Sequence, residues 1–174
     1  MLSGIYFAYN RNWIIIQYPY RTKEESFTIE ECKSAVKKVV RRIFWNHGKW
    51  NNETTDIIWS DDKADTIQHL INSWLILLDE EKLMTKKVLV QSVIMSQSGN
   101  DVYISFDRNP FNKASSTYQK MMWIEGLLKT IRDNNIKVQQ VQFLVHHQPM
   151  HDLHLDFSSP WPIGGFLEAS IHKK

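Results

Sequence analysis

Histidines and aspartates gathered near the C-terminal end of the sequence are its most obvious candidates for chemistry. Imidazole and carboxylate groups are preferred ligands of zinc and similar ions, which would suit a metal-binding protein or a metal-dependent hydrolase. Ligands spaced three or four residues apart come together only on a helix, however, and Pro149 disfavours a helix at this point. We therefore expect a polar loop without a metal ion or cofactor. The candidate ligands are His147, His151, His154 and Asp156, with His146 beside them.

Patterns for nucleophilic or nucleotide chemistry are weaker. Cys32 is the one cysteine, which leaves neither an internal disulfide nor a multi-cysteine metal site. Its place in an apolar helical pattern indicates a small buried side chain. The sequence contains no Gly-x-Ser-x-Gly elbow, Walker loop or Gly-x-Gly-x-x-Gly motif. Adjacent carboxylates such as Asp61 and Asp62 are expected at helix ends, not in a shared cleft. The sequence therefore predicts a protein that is not an enzyme.

The charge of the chain argues against a nucleic-acid partner. Lys33, Lys37, Lys38, Arg41 and Arg42 form a basic run that precedes two tryptophans, a combination that can bind nucleic acid. The formal net charge is only +2, however, and gives no supporting electrostatic field. We interpret the run as a solvated face.

Aromatic residues suggest a different role. The chain contains 7 Trp, 8 Phe and 6 Tyr, more than the two predicted helical stripes hold. Tryptophan and tyrosine are enriched at the hot spots of protein interfaces. Four tryptophans are predicted at strand ends or in loops, where they would form a surface for a protein partner or for self-association. They are Trp45, Trp50, Trp59 and Trp161.

The sequence gives no sign of a membrane anchor. No apolar run reaches the length of a membrane span. The N-terminal apolar runs are interrupted at residues 10–12, and no small-residue cleavage site follows them. Cys32 follows two glutamates and does not resemble a lipoprotein cysteine. These patterns leave the compartment open between the cell envelope and the cytoplasm.

The elements that would position these residues fall into three regions. Residues 1–38 are expected to form an N-terminal extension, with a hairpin over 4–20 and a short helix from Thr28 to Lys37 that opens on a capping box. Residues 39–160 are expected to form the main domain. Residues 161–174, which are rich in Pro and Gly at their start, are expected to form an irregular tail.

Within the main domain, apolar periodicity predicts strand, strand, helix, hairpin, helix, strand. Apolar residues recur at helical spacing through Ile67–Leu78, and a second capping box begins at Ser116. Helices and sheet must each bury an apolar face, so we expect an α+β two-layer sandwich, with two main helices on one face of a mostly antiparallel sheet. The predicted strands are Val39–Trp45, Thr54–Trp59, Lys87–Ser96, Val102–Asp107, Val138–Val145 and a short last strand, Leu153–Phe157.

These segments, in this order, resemble the GerM domain of bacterial sporulation and spore germination proteins. Val39–Trp45 is similar to the family's opening strand, and Ile67–Leu78 to its first, leucine-rich helix. Val93–Asp107 resembles its hairpin, Gln119–Arg132 its second helix, and Val138–Val145 a strand with the same alternation of valine and polar residues. The resemblance covers about two thirds of the chain.

The resemblance implies a fold related to the ring-building motifs of secretion machines. Such domains act without catalysis, by packing against copies of themselves or against partners. Family members usually lie outside the cytoplasmic membrane, tethered by a lipid or a membrane helix, and this sequence shows no such tether. It also departs from the family at His146-His147-Gln148, where the family strand often ends in Asp-Gly.

Overall fold

A computed structural model describes residues 36–111 and 114–166, which fold as an α+β domain. The predicted class, with two helices and mostly antiparallel strands in these residues, is confirmed. The strands divide between two hydrogen-bonded sheets instead of forming one. The elements are β1 Val36–Asn46, β2 Lys49–Trp59, α1 Lys63–Glu80, β3 Val90–Met95, β4 Asp101–Phe106, α2 Thr117–Asp133, β5 Gln140–Val145, β6 Gln148–Pro149 and β7 Trp161–Pro162.

The first sheet is the antiparallel hairpin of β1 and β2. A two-residue turn joins the strands, with His47 at φ 50° and Gly48 at φ 75°. Left-handed backbone at both central positions suits the right-handed twist of a hairpin. The predicted turn over residues 46–53 was therefore too long. β1 also begins at Val36, so the last two residues of the predicted helix are strand; the rest of that helix, and the hairpin over 4–20, lie outside the described residues.

Side chains from the C-terminal part of α2 and from α1 cover the outer edge of β1. The backbone N–H of Arg41 donates to Asn134 Oδ1 at 2.9 Å, and Asn134 Nδ2 donates back to the Arg41 carbonyl at 2.7 Å. The N–H of Ile43 donates to Thr130 Oγ1 at 2.9 Å, and Trp74 Nε1 donates to the Ile43 carbonyl at 2.7 Å. These bonds satisfy strand-edge groups that would otherwise be buried without partners.

Both helices begin where the sequence predicts. Asp62 caps α1 by accepting from the N–H of Ala64, and Ser116 and Gln119 cap α2 as a reciprocal capping box. Asn135, just beyond α2, adopts a left-handed backbone with φ 58°. The predicted apolar stripes face the core.

The second sheet has the order β3-β4-β5-β6, with β7 also paired to β5. The pairs are antiparallel except for β4 and β5, which are parallel because α2 crosses over between them. No strand forms over Leu153–Phe157. Leu153 is 93% exposed, whereas Phe157 is anchored by its buried side chain and by its carbonyl, which accepts from Gln142 Nε2. Phe157 therefore holds this segment by core packing instead of by strand pairing.

The beginning of the predicted irregular tail is held against the domain. Trp161–Pro162 pairs with β5 as β7. Arg132 on α2 donates to the carbonyls of Ile163 and Gly164, and buried Glu125 accepts from the N–H of Phe166. In the described part of the chain, neither helix is long and apolar enough to cross a membrane.

Candidate functional site

A groove of about 700 Å³ lies at one end of the domain. It lies between the β1–β2 turn, the C-terminal end of α1 and the start of α2. Its volume falls in the range of ordinary ligand and peptide sites. We call it the aromatic groove because its aromatic lining residues are Phe44, Trp45, Trp74, Phe111, Tyr118 and Trp123.

One wall of the aromatic groove joins the first hairpin to α2. The rings of Trp45 and Tyr118 meet edge to face, with centroids 6.2 Å apart. Trp50, the cross-strand partner of Trp45, packs behind it at 5.1 Å. The ammonium of Lys129 lies 5.3 Å from the Trp50 ring centroid. Edge-to-face aromatic pairs are more favourable than the burial of their surface alone. These contacts therefore hold the side chains of the wall in place. Tyr118 is 55% exposed on this wall.

The floor of the aromatic groove is continuous with the core. Trp123 contacts Trp74 at a centroid distance of 5.0 Å, Phe111 at 5.3 Å and Phe106 at 5.9 Å. Its indole N–H is buried and makes no hydrogen bond to any described residue. A buried donor without an acceptor costs about 1–3 kcal/mol. The unpaired Trp123 N–H therefore lowers the stability of the fold slightly at the floor of the groove.

Among the described residues that line the groove, Lys120 is the one lysine or arginine, and it is already paired. Its ammonium contacts the carboxylate of Asp152, and both side chains are buried, at 5% and 7% exposure. Burial raises the pKa of Asp152, but the hydrogen bond from Lys120, the N–H groups of His154 and Leu155, and the Lys120 charge outweigh it and lower the pKa below its ordinary value. The pair ties α2 to the loop after β6 and leaves Lys120 without a free charge.

The polar groups at the start of α2 present donors to the aromatic groove. The N–H of Ser116 donates to Gln119 Oε1, and Ser116 Oγ accepts from the N–H of Gln119. The Gln119 amide NH₂ and the Trp45 indole N–H make no hydrogen bond within residues 36–111 and 114–166. The capping box thus uses the amide oxygen of Gln119 and leaves its nitrogen available.

Two of the four predicted surface tryptophans come together at this site. Trp45 lines the aromatic groove, and Trp50 supports it. Trp59 lies before the N-terminus of α1, at the other end of that helix, with the ammonium of Lys38 3.6 Å from its ring centroid. Trp161 packs between Phe157 and Phe166 on the second sheet. All four are half-buried. Because Trp59 and Trp161 lie away from the groove and from each other, the four do not form one continuous surface.

The histidine segment does not converge. The described residues contain no group of three or more His, Cys, Asp or Glu side chains that could hold a metal ion. His147 Nδ1 lies 3.4 Å from Ser92 Oγ, and Asp156 accepts from the N–H and hydroxyl of Ser158. The remaining candidates, His151 and His154, are exposed.

The turn at which the GerM resemblance leads us to expect a glycine forms without one. His146 and His147 adopt left-handed backbone, with φ 50° and 63°, in the two-residue turn between β5 and β6. The N–H of His147 donates to Ser105 Oγ at 2.9 Å. This bond from the neighbouring strand helps to hold a conformation that non-glycine residues rarely adopt.

The described part of the basic run lies on a strand. Lys37, Lys38, Arg41 and Arg42 belong to β1, so their side chains alternate between its two faces. The first three are exposed, as expected for a solvated face. Arg42 is buried and donates to the Ser73 carbonyl.

Comparisons with known proteins give only a distant likeness. A solved structure with a similar backbone is that of a "putative lipoprotein" from Clostridium perfringens, at 18% identity and a TM-score of 0.49. The alignment covers 72% of this chain and 87% of that chain. No protein-family model and no curated protein matches the chain. A likeness at this level carries no conclusion about function, so the case for a function rests on the chain's own residues.

Sequence reasoning missed several residues of the aromatic groove. The sequence analysis did not single out Phe111 or Tyr118, and it did not predict the Lys120–Asp152 pair. One signal was available: Tyr118 stands at the start of α2, before its apolar stripe begins, so a large aromatic there had no predicted core partner. The pairing of Lys120 with Asp152 had no local signal.

Proposed function

We propose that this protein is a non-enzymatic, protein-interaction module of the GerM type, which acts in a bacterial cell-envelope or sporulation-type complex. The observation that carries the proposal is the aromatic groove, a concave surface with a half-exposed tyrosine and tryptophan at its wall. The element order agrees with the order that apolar periodicity predicts and on which the GerM resemblance is based, and this supports the family part of the proposal.

The chemistry of the groove favours binding over catalysis. A general base or nucleophile needs a tuned and available side chain. Lys120, the buried amine at this site, is held by Asp152. Aromatic side chains dominate the lining, and such residues supply binding energy when a partner covers them.

A protein partner is favoured because the groove opens onto the turn of a rigid hairpin. The β1 edge of that hairpin is fixed by Thr130 and Asn134, so the turn residues His47 and Gly48 are held in place beside α2. A surface that is ordered before binding loses less entropy when a partner docks. The partner is either another protein or a second copy of this chain.

Site-specific photocrosslinking of the full chain tests the proposal. A photoreactive phenylalanine analogue replaces His47 at the groove, and in a control variant it replaces exposed Gln97 in the β3–β4 turn. The two positions lie at opposite ends of α1, whose 18 residues span about 27 Å. Lys63 at the N-terminus of α1 bonds to Gly99 of the same turn, which fixes the control at the far end.

We expect a discrete protein adduct from position 47 and none from position 97 when the cells of origin are irradiated. An adduct at twice the monomer mass would identify a second copy as the partner. Adducts that form equally from both positions, or from neither while the purified protein remains monomeric at high concentration, would contradict the proposal.

A further inference from the structure

We propose that the aromatic groove binds an uncharged, proline-rich extended segment of its partner. This inference rests on the proposed function, because it names the chemistry of the segment that the groove accepts. Three properties of the groove lead to it: the orientation of its rings, the unused hydrogen-bond donors at its wall, and the pairing of its described lysine.

The rings of the groove wall form open angles. Trp45 and Tyr118 meet at an interplanar angle of 81°, and Phe111 and Trp123 also meet at 81°. Perpendicular rings leave notches whose sides are flat aromatic faces. A pyrrolidine ring is compact and apolar, and proline-rich segments dock into aromatic-lined grooves in several unrelated domains.

Three polar side chains at the wall have a donor that no described residue uses. The Trp45 indole can only donate, and the free half of the Gln119 amide is its NH₂ group, because its oxygen is held by Ser116. The Tyr118 hydroxyl, which makes no hydrogen bond to the described residues, can donate as well. A ligand with free acceptors would satisfy these three donors. Proline has no backbone N–H, and the carbonyls of a polyproline II segment are free to accept.

The one lysine among the described groove-lining residues does not attract a charged occupant. The ammonium of Lys120 is buried and neutralised by Asp152, so it offers no free cation to a phosphate or an acidic side chain. An anionic ligand that lost its hydration here would gain no counter-charge from Lys120, which is costly. An uncharged segment avoids this cost. Because a polyproline II segment is already extended, it also loses less conformational entropy on docking than a flexible one.

The indole N–H signals of the tryptophans provide a direct test by NMR on the full chain. The probe is a proline decapeptide with acetylated and amidated ends, and the matched control peptide has alternating Gly and Ser. We expect saturable shifts of the Trp45 signal with the proline peptide alone, at a Kd of about 10–500 μM, a range typical of weak recognition that corresponds to about 5–7 kcal/mol.

Two substitutions separate the proposed contacts from general folding. Gln119→Glu keeps an acceptor for the Ser116 N–H and preserves the capping box, but it removes the donor and should weaken binding at least about 5-fold. Trp45→Phe keeps an apolar ring and removes the indole N–H, and should weaken binding about 3- to 10-fold, with Tyr118 and Trp50 signals as reporters. Trp59→Phe, at the other end of α1, should leave the Kd unchanged.

Several outcomes would overturn the inference. They are no saturable shift with the proline peptide, equal shifts with the Gly/Ser peptide, and a Kd that Gln119→Glu leaves unchanged. Saturation of the same signals by chito-oligosaccharides, with the proline peptide silent, would assign the groove to a glycan instead. A protein adduct at position 47 combined with a silent proline peptide would overturn only this inference and would leave the proposed function standing.

Discussion

The ammonium of Lys120 contacts a carboxylate oxygen of Asp152 across 32 positions of sequence, and both side chains are almost fully buried. The pair joins the first turn of α2, which forms the wall of the aromatic groove, to the loop that follows β6. Its local geometry therefore links the stability of the fold to the shape of the candidate site.

Asp152→Asn should destabilise the fold because it leaves the buried ammonium of Lys120 without a counter-charge. Breaking a buried ion pair on one side typically costs about 3–5 kcal/mol, which urea denaturation would measure. Lys120→Met in the Asp152→Asn background removes the orphaned charge and should restore most of the loss. A double variant no more stable than Asp152→Asn would show that the pair is not the source of the effect. Asp61→Asn, at an exposed site, is the control.

The same carboxylate predicts the response to acid. The folded-state pKa of Asp152 lies below its ordinary value of 3.8. The Lys120–Asp152 interaction therefore contributes its full stability above about pH 4 and loses it as the pH falls through the folded pKa. We expect the free energy of unfolding of wild type to fall more steeply below pH 4 than that of the Lys120→Met/Asp152→Asn double variant. Parallel curves for the two proteins would contradict this assignment.

Thr130→Val should remove the acceptor for the Ile43 N–H on the covered edge of β1. Valine has nearly the same shape, so the loss isolates the hydrogen bond, and a buried unpaired N–H costs about 1–3 kcal/mol. Hydrogen exchange at Ile43 should also become faster. Thr54→Val on exposed β2 is the matched control and should change stability by less than about 0.5 kcal/mol. Equal effects of the two substitutions would mean that the edge bond contributes nothing.

Two glycines both have left-handed backbone. Substituting each by alanine distinguishes the cost of backbone strain from the cost of a steric collision. Gly99 and Gly165 have φ of 71° and 74°, but a Cβ at Gly99 meets open space, whereas one at Gly165 would collide with the buried carboxylate of Glu125. Gly99→Ala should cost only the left-handed penalty of about 1–2 kcal/mol. Gly165→Ala should cost more, or should release the segment over residues 163–166 from α2, which limited proteolysis would detect. An equal loss of unfolding free energy for the two variants would contradict the predicted collision.

Local signals were enough to predict most of the helices and the second hairpin. Ser116 and Gln119 stand three residues apart before an apolar stripe, and Ser98-Gly99 separates two strand-like runs. Each signal depends only on residues that are close together in the chain, so it can be read from a single sequence. The first hairpin was predicted with the wrong turn because Asn51 to Glu53 are polar and suggest a loop, although they lie in β2 on a largely exposed strand.

The aromatic groove could not be predicted because its walls meet only in the folded chain. Trp45 was identified as a surface candidate, but its contact with Tyr118 joins residues 73 positions apart, and nothing in either neighbourhood specifies the other. The same holds for Lys120 and Asp152. In contrast, no helix forms around Pro149 in the described residues, as the local argument from that proline predicted.

The most direct test of the central claim is amide hydrogen exchange of the full chain, free and bound to the partner captured from position 47. The account predicts protection concentrated at residues 44–48 and 115–119, and its loss in a Trp45→Ala/Tyr118→Ala variant that stays folded. Protection confined to residues 96–101 at the other end of α1, or unchanged binding by that variant, would contradict it.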